Sequence, residues 1–425
     1  MDMMLSDLRK MISINSVCEK SDSPDHPFGE NVRKVVETAL DICKGYGFRI
    51  KNNNNMTAYA EVGTGSPLMG ILVHLDIVPA GEGWNHDPFD MKITEDKIYG
   101  RGVTDDKGPA AAVIHAIREL LEEGVIFNKR VRIIFGMAEE TGEWEDMEYY
   151  NQYEEKVDFG FTPDADFPAI YGEKGLAHLR FVFDKSSTCF DHISGGTALN
   201  MVPDCCTASG HLADGEYFEI EVKGKAAHGS TPEDGENAIS KLMSRFSDSQ
   251  NCRLVEFFHK FIRMEYDGKS LGGYFSDEES GPITYNIGLI ETAGDRITVS
   301  VDVRYPVTCH IEEIISAVNH HLAAEGFEDI QAELLSDTPY VYMDKNGSVI
   351  RKLMEAYREH TGDSSEPALI GGGTYARAMD GIVAFGPMFP GRELTEHQAN
   401  EYIFRKDLDL AKEIYKTAIR KLAAQ

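Results

Sequence analysis

The sequence predicts an α/β protein into which a second, α+β domain is inserted. Residues 1 to about 176 alternate helical patterns with short apolar strand patterns, which is typical of an α/β unit. Strand patterns interleave with helical patterns over residues 177–338, and helical patterns return over residues 339–425. A chain of 425 residues also exceeds the usual size of a single core. We therefore expect a first domain made of 1–176 and 339–425, with 177–338 as the insertion.

The first strand pattern of interest ends in an imidazole and a carboxylate. The run PLMGILVHLD, at Pro67–Asp76, is short and rich in Leu, Ile and Val, which predicts a buried strand. His74 and Asp76 are two residues apart, so they point to the same side of that strand. A carboxylate so placed can fix the tautomer of a metal-binding histidine. The alternative is a buried histidine with an incidental aspartate.

A helix is predicted directly after the glycine-punctuated turn YGRGVTDDKG. Apolar residues recur at helical spacing in GPAAAVIHAIRELLEEG, with Pro109 near the start and Gly124 just past the end. We expect Asp105 to cap this helix. We interpret Asp106 as a metal ligand, because a carboxylate has two oxygens and can bridge two cations.

Two adjacent glutamates, Glu139 and Glu140, end the next strand pattern, VRIIFGMAEETGE. Neighbouring carboxylates repel each other unless a cation lies between or beside them. A solvated loop would also relieve this repulsion. Together with the earlier clusters, the pair is better explained as one metal ligand and one general base, at the strand ends where α/β sheets bind ligands.

Two more segments complete the set of candidate site residues. A short apolar segment in VDFGFTPDADF leads to Asp164 and Asp166. His397 lies in GRELTEHQANEYI, after the apolar stretch GIVAFGPMFPG. It can join the others only if the last part of the chain folds back onto the first, and the alternative is an exposed loop histidine.

The order of these motifs resembles a known family. HLD, GRGxxDDKG, AEETG, TPDADFP, AAHGSTPEDGENA and EHQANE follow one another as in the co-catalytic metallopeptidases, which include peptidase V, carnosinases, aminoacylases and succinyl-diaminopimelate desuccinylase. DDKG, TPDADFP and IGGGTYAR look most like the peptidase V branch, a group of dipeptidases. The resemblance covers nearly the whole chain and implies a mixed-sheet catalytic domain with an inserted α+β lid.

The resemblance also implies roles for individual residues. Asp76 would orient His74, and Glu139 would be the general base, with Asp166 as the alternative to Asp164. Two metal sites would share a bridging carboxylate: His74, Asp106 and Asp164 for one ion, and Asp106, Glu140 and His397 for the other.

The lid would supply groups that meet the substrate. The resemblance implies that His228 stabilises the oxyanion, although a histidine between small residues is also compatible with a structural role. Asn200 and Arg304 are similar to residues that contact substrate, and a guanidinium suits a substrate carboxylate; a surface charge is the alternative for Arg304. Amides of Gly372 and Gly373 could receive a peptide carboxylate, or these glycines form only a tight turn.

The implied function is hydrolysis of unblocked dipeptides. Two divalent ions about 3.5 to 4 Å apart can hold a bridging water and polarise the scissile carbonyl. Glu139 would take the proton of that water and return it to the leaving amine. Zinc is the default ion, with manganese or cobalt as alternatives. An aminoacylase or related N-acyl amino acid amidohydrolase, and a non-catalytic metal-binding or peptide-binding descendant, are the alternative functions.

Composition narrows the location and the partners. Lys and Arg total 42 against 71 Asp and Glu, a formal charge of −29, which argues against nucleic acid or an anionic membrane as partner. Seven cysteines without a CxxC pattern favour reduced thiols in the cytoplasm. We expect neither a secretion leader nor a membrane span. A monomer is preferred, because an enlarged lid can replace a partner subunit, and a homodimer is the alternative.

Overall fold

The computed structural model describes residues 2–247 and 252–424. The chain divides into two compact units. Unit 1 comprises residues 1–171, 343–368 and 374–425, and unit 2 comprises residues 172–342 and 369–373. Residues 369–373, expected in the second part of the first domain, cluster with unit 2. Among the described helices, none is both long and apolar enough to cross a membrane.

The secondary structure mixes helices and strands throughout. The α-helices are α1 (Met3–Ile12), α2 (Glu30–Gly45), α3 (Lys107–Glu122), α4 (Glu145–Tyr153), α5 (Ala238–Met243), α6 (Arg253–Phe257), α7 (Ile311–Ala324), α8 (Ser348–Thr361) and α9 (Arg405–Ala423). The strands are β1 (Arg49–Asn53), β2 (Thr57–Val62), β3 (Leu68–His74), β4 (Lys92–Ile93), β5 (Lys97–Tyr99), β6 (Arg130–Gly136), β7 (Phe159–Thr162), β8 (Ala165–Asp166), β9 (Ile170–Glu173), β10 (Gly175–Asp184), β11 (Phe190–Gly195), β12 (Cys205–His211), β13 (Tyr217–Lys223), β14 (Ser276–Asp277), β15 (Gly281–Pro282), β16 (Thr284–Ala293), β17 (Arg296–Tyr305), β18 (Glu333–Thr338), β19 (Val341–Tyr342), β20 (Ala368–Ile370), β21 (Ile382–Ala384), β22 (Pro387–Met388) and β23 (Tyr402–Phe404).

Unit 1 is built on a mixed sheet in which the strand order begins β1-β2-β6-β3-β7-β21. β3 runs parallel to both β6 and β7, and all seven of its residues are buried. That explains its continuous apolar sequence, since a strand between parallel neighbours has no polar face. The carboxyl ends of the three strands therefore lie at one edge of the sheet. The expected α/β class with a mixed sheet is confirmed.

Helices of unit 1 pack against one another as well as supporting the sheet. α3 contacts α1 and α9, and α9 also contacts α8. Most of α3 is buried, which fits its alanine-rich sequence. Gly124 follows this helix with φ +75°, a left-handed conformation that glycine adopts without strain.

Unit 2 contains an antiparallel sheet of order β13-β12-β11-β16-β17-β10-β18. Residues of β10 alternate in burial, as do those in the first half of β17, and the apolar side chains of both strands form a core with α5, α6 and α7. Three polar residues in register, His178, Asp302 and Asn286, form a row across β10, β17 and β16.

A close backbone approach within the sheet of unit 1 gives a test of the fold. Gly70 of β3 lies opposite Gly160 of β7, and a Cβ at Gly160 would stand 1.8 Å from the Gly70 carbonyl oxygen. Gly160→Ala should therefore lower the free energy of unfolding by about 3 kcal/mol, because backbone must move to admit the methyl group. Urea denaturation measures this loss.

Gly45→Ala is the matched control for that substitution. Gly45 is the last residue of α2, and nothing lies within 4 Å of the position that its Cβ would take. Alanine there should leave stability unchanged or raise it by up to about 1 kcal/mol. Equal stabilities of the two variants would contradict the predicted strand contact.

Candidate functional site

Imidazole and carboxylate groups of unit 1 converge into two clusters that share one residue. The clusters are His74, Asp105 and Asp164, and Asp105, Glu140 and His397. Within each cluster, one potential ligand atom of every residue lies within 4.8 Å of the others. Neutral imidazole and ionised carboxylate are the donors that zinc, manganese and cobalt accept in proteins. The donor set therefore fits two divalent cations that share the Asp105 carboxylate.

His74 is fully buried at the end of β3 and is held through both ring nitrogens. Its Nε2 lies 2.7 Å from Oδ1 of Asp105 and 3.9 Å from Oδ1 of Asp164. Its Nδ1 lies 3.1 Å from the carbonyl oxygen of Asp76, which can only accept, so Nδ1 carries a proton. Burial lowers the pKa of His74, but hydrogen bonds and charge from Asp105 outweigh burial and raise it well above its ordinary value.

Asp76 contributes in a different way from that expected. Its carboxylate Oδ1 is 3.4 Å from Nδ1 of His74, farther than its own carbonyl oxygen. Instead, Oδ1 accepts the backbone N–H of Glu139 at 3.2 Å, and Oδ2 accepts that of Glu140 at 3.0 Å. Asp76 thus fixes the 3-10 turn Glu139–Thr141 and, through its backbone, the ring of His74.

His397 completes the second cluster from the far end of the chain. Its Nε2 lies 2.9 Å from Oδ2 of Asp105 and 3.1 Å from Oε2 of Glu140. The other oxygen of Glu140 accepts the backbone N–H of Val78 at 3.2 Å. Hydrogen bonds with Asp105 and Glu140 raise the pKa of His397 to about 10. The last part of the chain therefore does fold back onto the first, as His397 requires.

The structure corrects the expectation for Asp105 and Asp106. α3 begins at Lys107, so its N-cap is Asp106, whose side chain makes no capping hydrogen bond. The buried Asp106 carboxylate accepts the backbone N–H of His74 at 3.1 Å through Oδ2, and no described residue is a hydrogen-bond partner of Oδ1. Asp105, expected to be the cap, stands in both clusters, and Asp106, expected to bridge, stands in neither.

Asp164 is favoured over Asp166 by position. Asp164 belongs to the first cluster, whereas Asp166 lies in β8 with its side chain exposed. Burial raises the pKa of Asp164 to about 7, and neighbouring carboxylates act in the same direction.

Glu139 is a partly buried carboxyl group beside the clusters. Loss of hydration raises its pKa to about 9, the charge of His74 opposes this shift, and the charges of Asp164 and Glu140 add to it. The backbone carbonyl oxygen of Glu139 accepts the indole N–H of Trp144 at 3.1 Å. Without cations beside it, the Glu139 carboxyl group is therefore mostly protonated at neutral pH, because its pKa is raised.

Sequence reasoning did not identify Tyr375 and Asp146 as part of this region. Tyr375 is buried, with its hydroxyl 3.5 Å from Asp146 and its ring edge-on to the ring of His74 at a centroid distance of 6.0 Å. A Cβ at Gly136 would stand 2.2 Å from the Tyr375 hydroxyl, so only glycine fits there. Tyr375 belongs to the segment IGGGTYAR, in which only Gly372 and Gly373 were predicted to be site residues.

In unit 2 the structure brings Asn200 and His228 onto neighbouring backbone segments. The N–H of Gly229 donates to the carbonyl oxygen of Asn200 at 2.7 Å, and Met201 forms a β-bridge with His228. The side-chain amide of Asn286 donates to the carbonyls of residues 199 and 201, at 2.9 Å each, and so holds the backbone on both sides of Asn200.

The tautomer of His228 follows from its own neighbours. Its Nδ1 accepts the backbone N–H of Ser230 at 3.2 Å, and the Ser230 hydroxyl lies 2.7 Å away. Because a backbone N–H can only donate, Nδ1 has no proton and Nε2 carries one. Partial burial lowers the pKa of His228, so the neutral ring presents Nε2–H as a hydrogen-bond donor.

Arg304 is buried in unit 2, which excludes the surface-charge alternative. Its Nε and Nη2 donate to Oδ2 of Asp302 at 3.1 and 2.8 Å, and Nη1 donates to the carbonyl oxygen of Gly371 at 3.2 Å. These bonds fix the plane of the guanidinium group. Gly371 precedes Gly372 and Gly373, so Arg304 and the glycine segment are joined.

The amino-acid sequence is similar to those of known peptidases. The sequence profile described as peptidase family M20/M25/M40 matches residues 70–421. The "Putative dipeptidase" of Staphylococcus haemolyticus is 35% identical over 99% of this chain and 97% of its own length. The protein of the same name in Staphylococcus saprophyticus is 34% identical over 100% of this chain and 98% of its own.

Solved structures share the fold over nearly the whole chain. Human carnosine dipeptidase 1 aligns with a TM-score of 0.60 and 16% identity, covering 99% of this chain and 96% of that one. Aminoacylhistidine dipeptidase of Vibrio alginolyticus aligns with a TM-score of 0.60 and 14% identity, covering 97% and 95%. At these identities the likeness shows the fold alone.

The raised pKa values predict how pH changes the stability of protein stripped of metal. Folding raises the pKa of Glu139 from 4.5 to about 9, of Asp164 from 3.8 to about 7 and of His397 from 6.5 to about 10. The contribution of each group to the free energy of unfolding is complete below its unfolded pKa and is lost as pH rises through its folded pKa. Folding lowers the pKa of Asp105, so the contribution of Asp105 is lost only as pH falls and is already complete above pH 3.8.

Chelator-treated protein should therefore become less stable between pH 5 and pH 9. Each proton that only the folded state retains adds a slope of about 1.4 kcal/mol per pH unit. Thermal denaturation at several pH values measures the slope, and added zinc or manganese should reduce it, because cations replace the protons. Stripped protein that is as stable at pH 9 as at pH 5 would contradict the expectation.

Proposed function

Because the chain belongs to peptidase family M20/M25/M40, a metallopeptidase family, we propose that it is a dipeptidase that depends on two metal ions and hydrolyses unblocked dipeptides. The observation that carries this proposal is the sharing of Asp105 by two three-residue donor clusters. Such an arrangement would hold two cations side by side. Relatives named as dipeptidases align over the full chain, which supports the choice of a dipeptide substrate.

The clusters support a proposed set of metal ligands. His74, Asp105 and Asp164 would hold one ion, and Asp105, Glu140 and His397 the other, with zinc as the default and manganese or cobalt as alternatives. Two bound divalent ions would supply an activated water and polarise the scissile carbonyl. Asp76 would keep the proton of His74 on Nδ1, leaving Nε2 to ligate.

Glu139 is the proposed general base. Its backbone is fixed by Asp76, and its partly buried carboxyl group lies beside the clusters. Bound cations would lower the raised pKa of Glu139 and leave its carboxylate ionised, so that it could take a proton from water and return it to the leaving amine. The presence of Glu139 beside complete donor clusters argues against a non-catalytic binding protein, which needs no base.

Residues of unit 2 are proposed to bind the substrate. His228 would donate Nε2–H to the developing oxyanion, and this is supported by the tautomer that Ser230 imposes. Arg304 would bind the substrate carboxylate, with Asn200 and the amides of Gly372 and Gly373 as further donors. Asp302 already fixes the Arg304 guanidinium, so binding would require little further ordering.

We further propose a cytoplasmic, monomeric enzyme. All seven cysteines are free, in keeping with a reducing compartment. A homodimer is the alternative, and sedimentation equilibrium distinguishes the two.

A substrate panel tests the proposed activity. Unblocked dipeptides, their N-acetylated forms and acetyl-amino acids are incubated with stripped protein resupplied with zinc or manganese. We expect metal-dependent cleavage of the unblocked dipeptides alone. Cleavage is measured as the release of new amino groups. Cleavage confined to acylated substrates would instead establish an aminoacylase, and no cleavage with either metal would favour the non-catalytic alternative.

Glu139→Gln is the matched variant for this panel. It is nearly isosteric but cannot accept the proton, so turnover should fall by at least about 100-fold while both metal ions remain bound. Unchanged turnover would remove Glu139 from the mechanism.

The roles of Asp105 and Asp106 are separated by two parallel substitutions. Asp105→Asn should abolish binding of the metal pair, because Asp105 stands in both clusters. Asp106→Asn should keep both ions bound, since Asp106 stands in neither cluster and an amide oxygen can still accept the His74 N–H. The metal content of each variant after gel filtration measures the outcome. If only Asp106→Asn loses the two ions, Asp106 is the bridging ligand, as the sequence predicted.

A further inference from the structure

Glu401 is a fully buried carboxylate with an unusually complete set of donors. It lies four residues after His397, at the start of the segment that enters β23. Its partners are the side chain of Arg101 and the backbone N–H groups of Gly102, Thr104 and Asp105. All four belong to the loop that carries Asp105, about 300 residues earlier in the chain.

The two carboxylate oxygens hold different parts of that loop. Oε2 accepts the Arg101 Nη1–H at 2.8 Å and the Gly102 N–H at 2.9 Å. Oε1 accepts the Thr104 N–H at 2.8 Å and the Asp105 N–H at 3.4 Å. Three backbone N–H groups of the loop thus point at one side chain, and the last of them belongs to Asp105, the shared residue of the two clusters.

Backbone carbonyls of Glu401 and Tyr402 also accept hydrogen bonds from the loop that carries Asp105. The N–H of Gly100 donates to the carbonyl oxygen of Glu401 at 3.2 Å, and the Thr104 hydroxyl donates to that of Tyr402 at 3.1 Å. β23 pairs antiparallel with β5, with Tyr402 opposite Tyr99. The segment that delivers His397 and the loop that delivers Asp105 are therefore tied together next to both residues.

A contribution to stability alone does not explain this arrangement. A buried ion pair such as Arg101–Glu401 is weak evidence for stabilisation, because desolvation offsets most of the attraction between the charges. The pair does supply the charge balance that lets a carboxylate remain buried beside the clusters. What its geometry determines is the course of the loop from Arg101 to Asp105.

We propose that Glu401 is a positioning residue that sets the distance between Asp105 and His397 and thereby the affinity for the metal pair. The proposal rests on the proposed function, in which both residues bind metal. Outer groups that orient metal ligands typically change metal affinity by about 10- to 100-fold when they are replaced.

Glu401→Gln tests this proposal, and Glu61→Gln is its matched control. Glutamine offers one acceptor oxygen, and its NH₂ group would face donors of the loop, so the loop should shift. Glu61 is also buried and accepts two hydrogen bonds from Arg132, at 2.9 and 2.7 Å, but it lies in β2, near the amino end of the neighbouring β6 and away from the clusters. Both substitutions remove one charge from a buried ion pair of unit 1.

The measurement is the dissociation constant for zinc and for manganese, by competition with a chromophoric chelator, together with the melting temperature of the stripped protein. We expect Glu401→Gln to bind the pair about 10- to 100-fold more weakly. Glu61→Gln should lower the melting temperature but change metal affinity by less than about 3-fold, because its loss is remote from the ligands.

Wild-type affinity in folded Glu401→Gln, or equal weakening in both variants, would overturn the proposal. If Glu401→Gln does not fold, Glu401→Asp replaces it: this variant keeps the charge for Arg101 but withdraws the carboxylate by one methylene. It should still weaken binding about 10-fold, and unchanged affinity would overturn the proposal. Failure of the wild-type protein to bind two ions would instead refute the proposed function.

Discussion

The parallel register of β3, β6 and β7 is the constraint on which the rest of unit 1 depends. It brings the carboxyl ends of three strands to one edge, and the chain leaves those ends through His74, Glu139 and Asp164. The pairing of β3 with β7 in turn depends on Gly160, because a side chain there would collide with the backbone carbonyl of Gly70. A backbone contact without any reactive group thus determines where the reactive groups meet.

The sequence contained most of this arrangement, because apolar strands end where polar residues begin. That pattern together with the family resemblance predicted His74, Glu140, Asp164 and His397 as site residues, and all four lie in the two donor clusters. Asp105 and Asp106 could not be separated, since they are identical neighbours and a helix start is uncertain by one or two residues in any pattern. A start at Lys107 instead of one residue earlier moves the cap to Asp106 and turns Asp105 toward the clusters.

Other features were beyond sequence reasoning because they depend on contacts between distant segments. The carboxylate of Asp76 holds two backbone N–H groups 63 and 64 residues away, and no local pattern indicates such bonds. Arg304 could be a surface charge or a buried anchor until the structure showed it buried and hydrogen-bonded to Asp302. In unit 2, the tautomer of His228 is set by the backbone N–H of Ser230, a contact that no sequence motif indicates.

The distance in sequence between the paired segments also affects when the protein can become active during synthesis. Asp105 and the residues of β3 and β6 leave the ribosome early, whereas His397 and Glu401 come almost 300 residues later. Until those residues emerge, Asp105 and Glu140 lack the imidazole of His397, and three N–H groups of the loop before α3 lack the carboxylate of Glu401. The second donor cluster therefore cannot form before translation has passed residue 397, whereas the residues of the first cluster are all made within the first 164 residues.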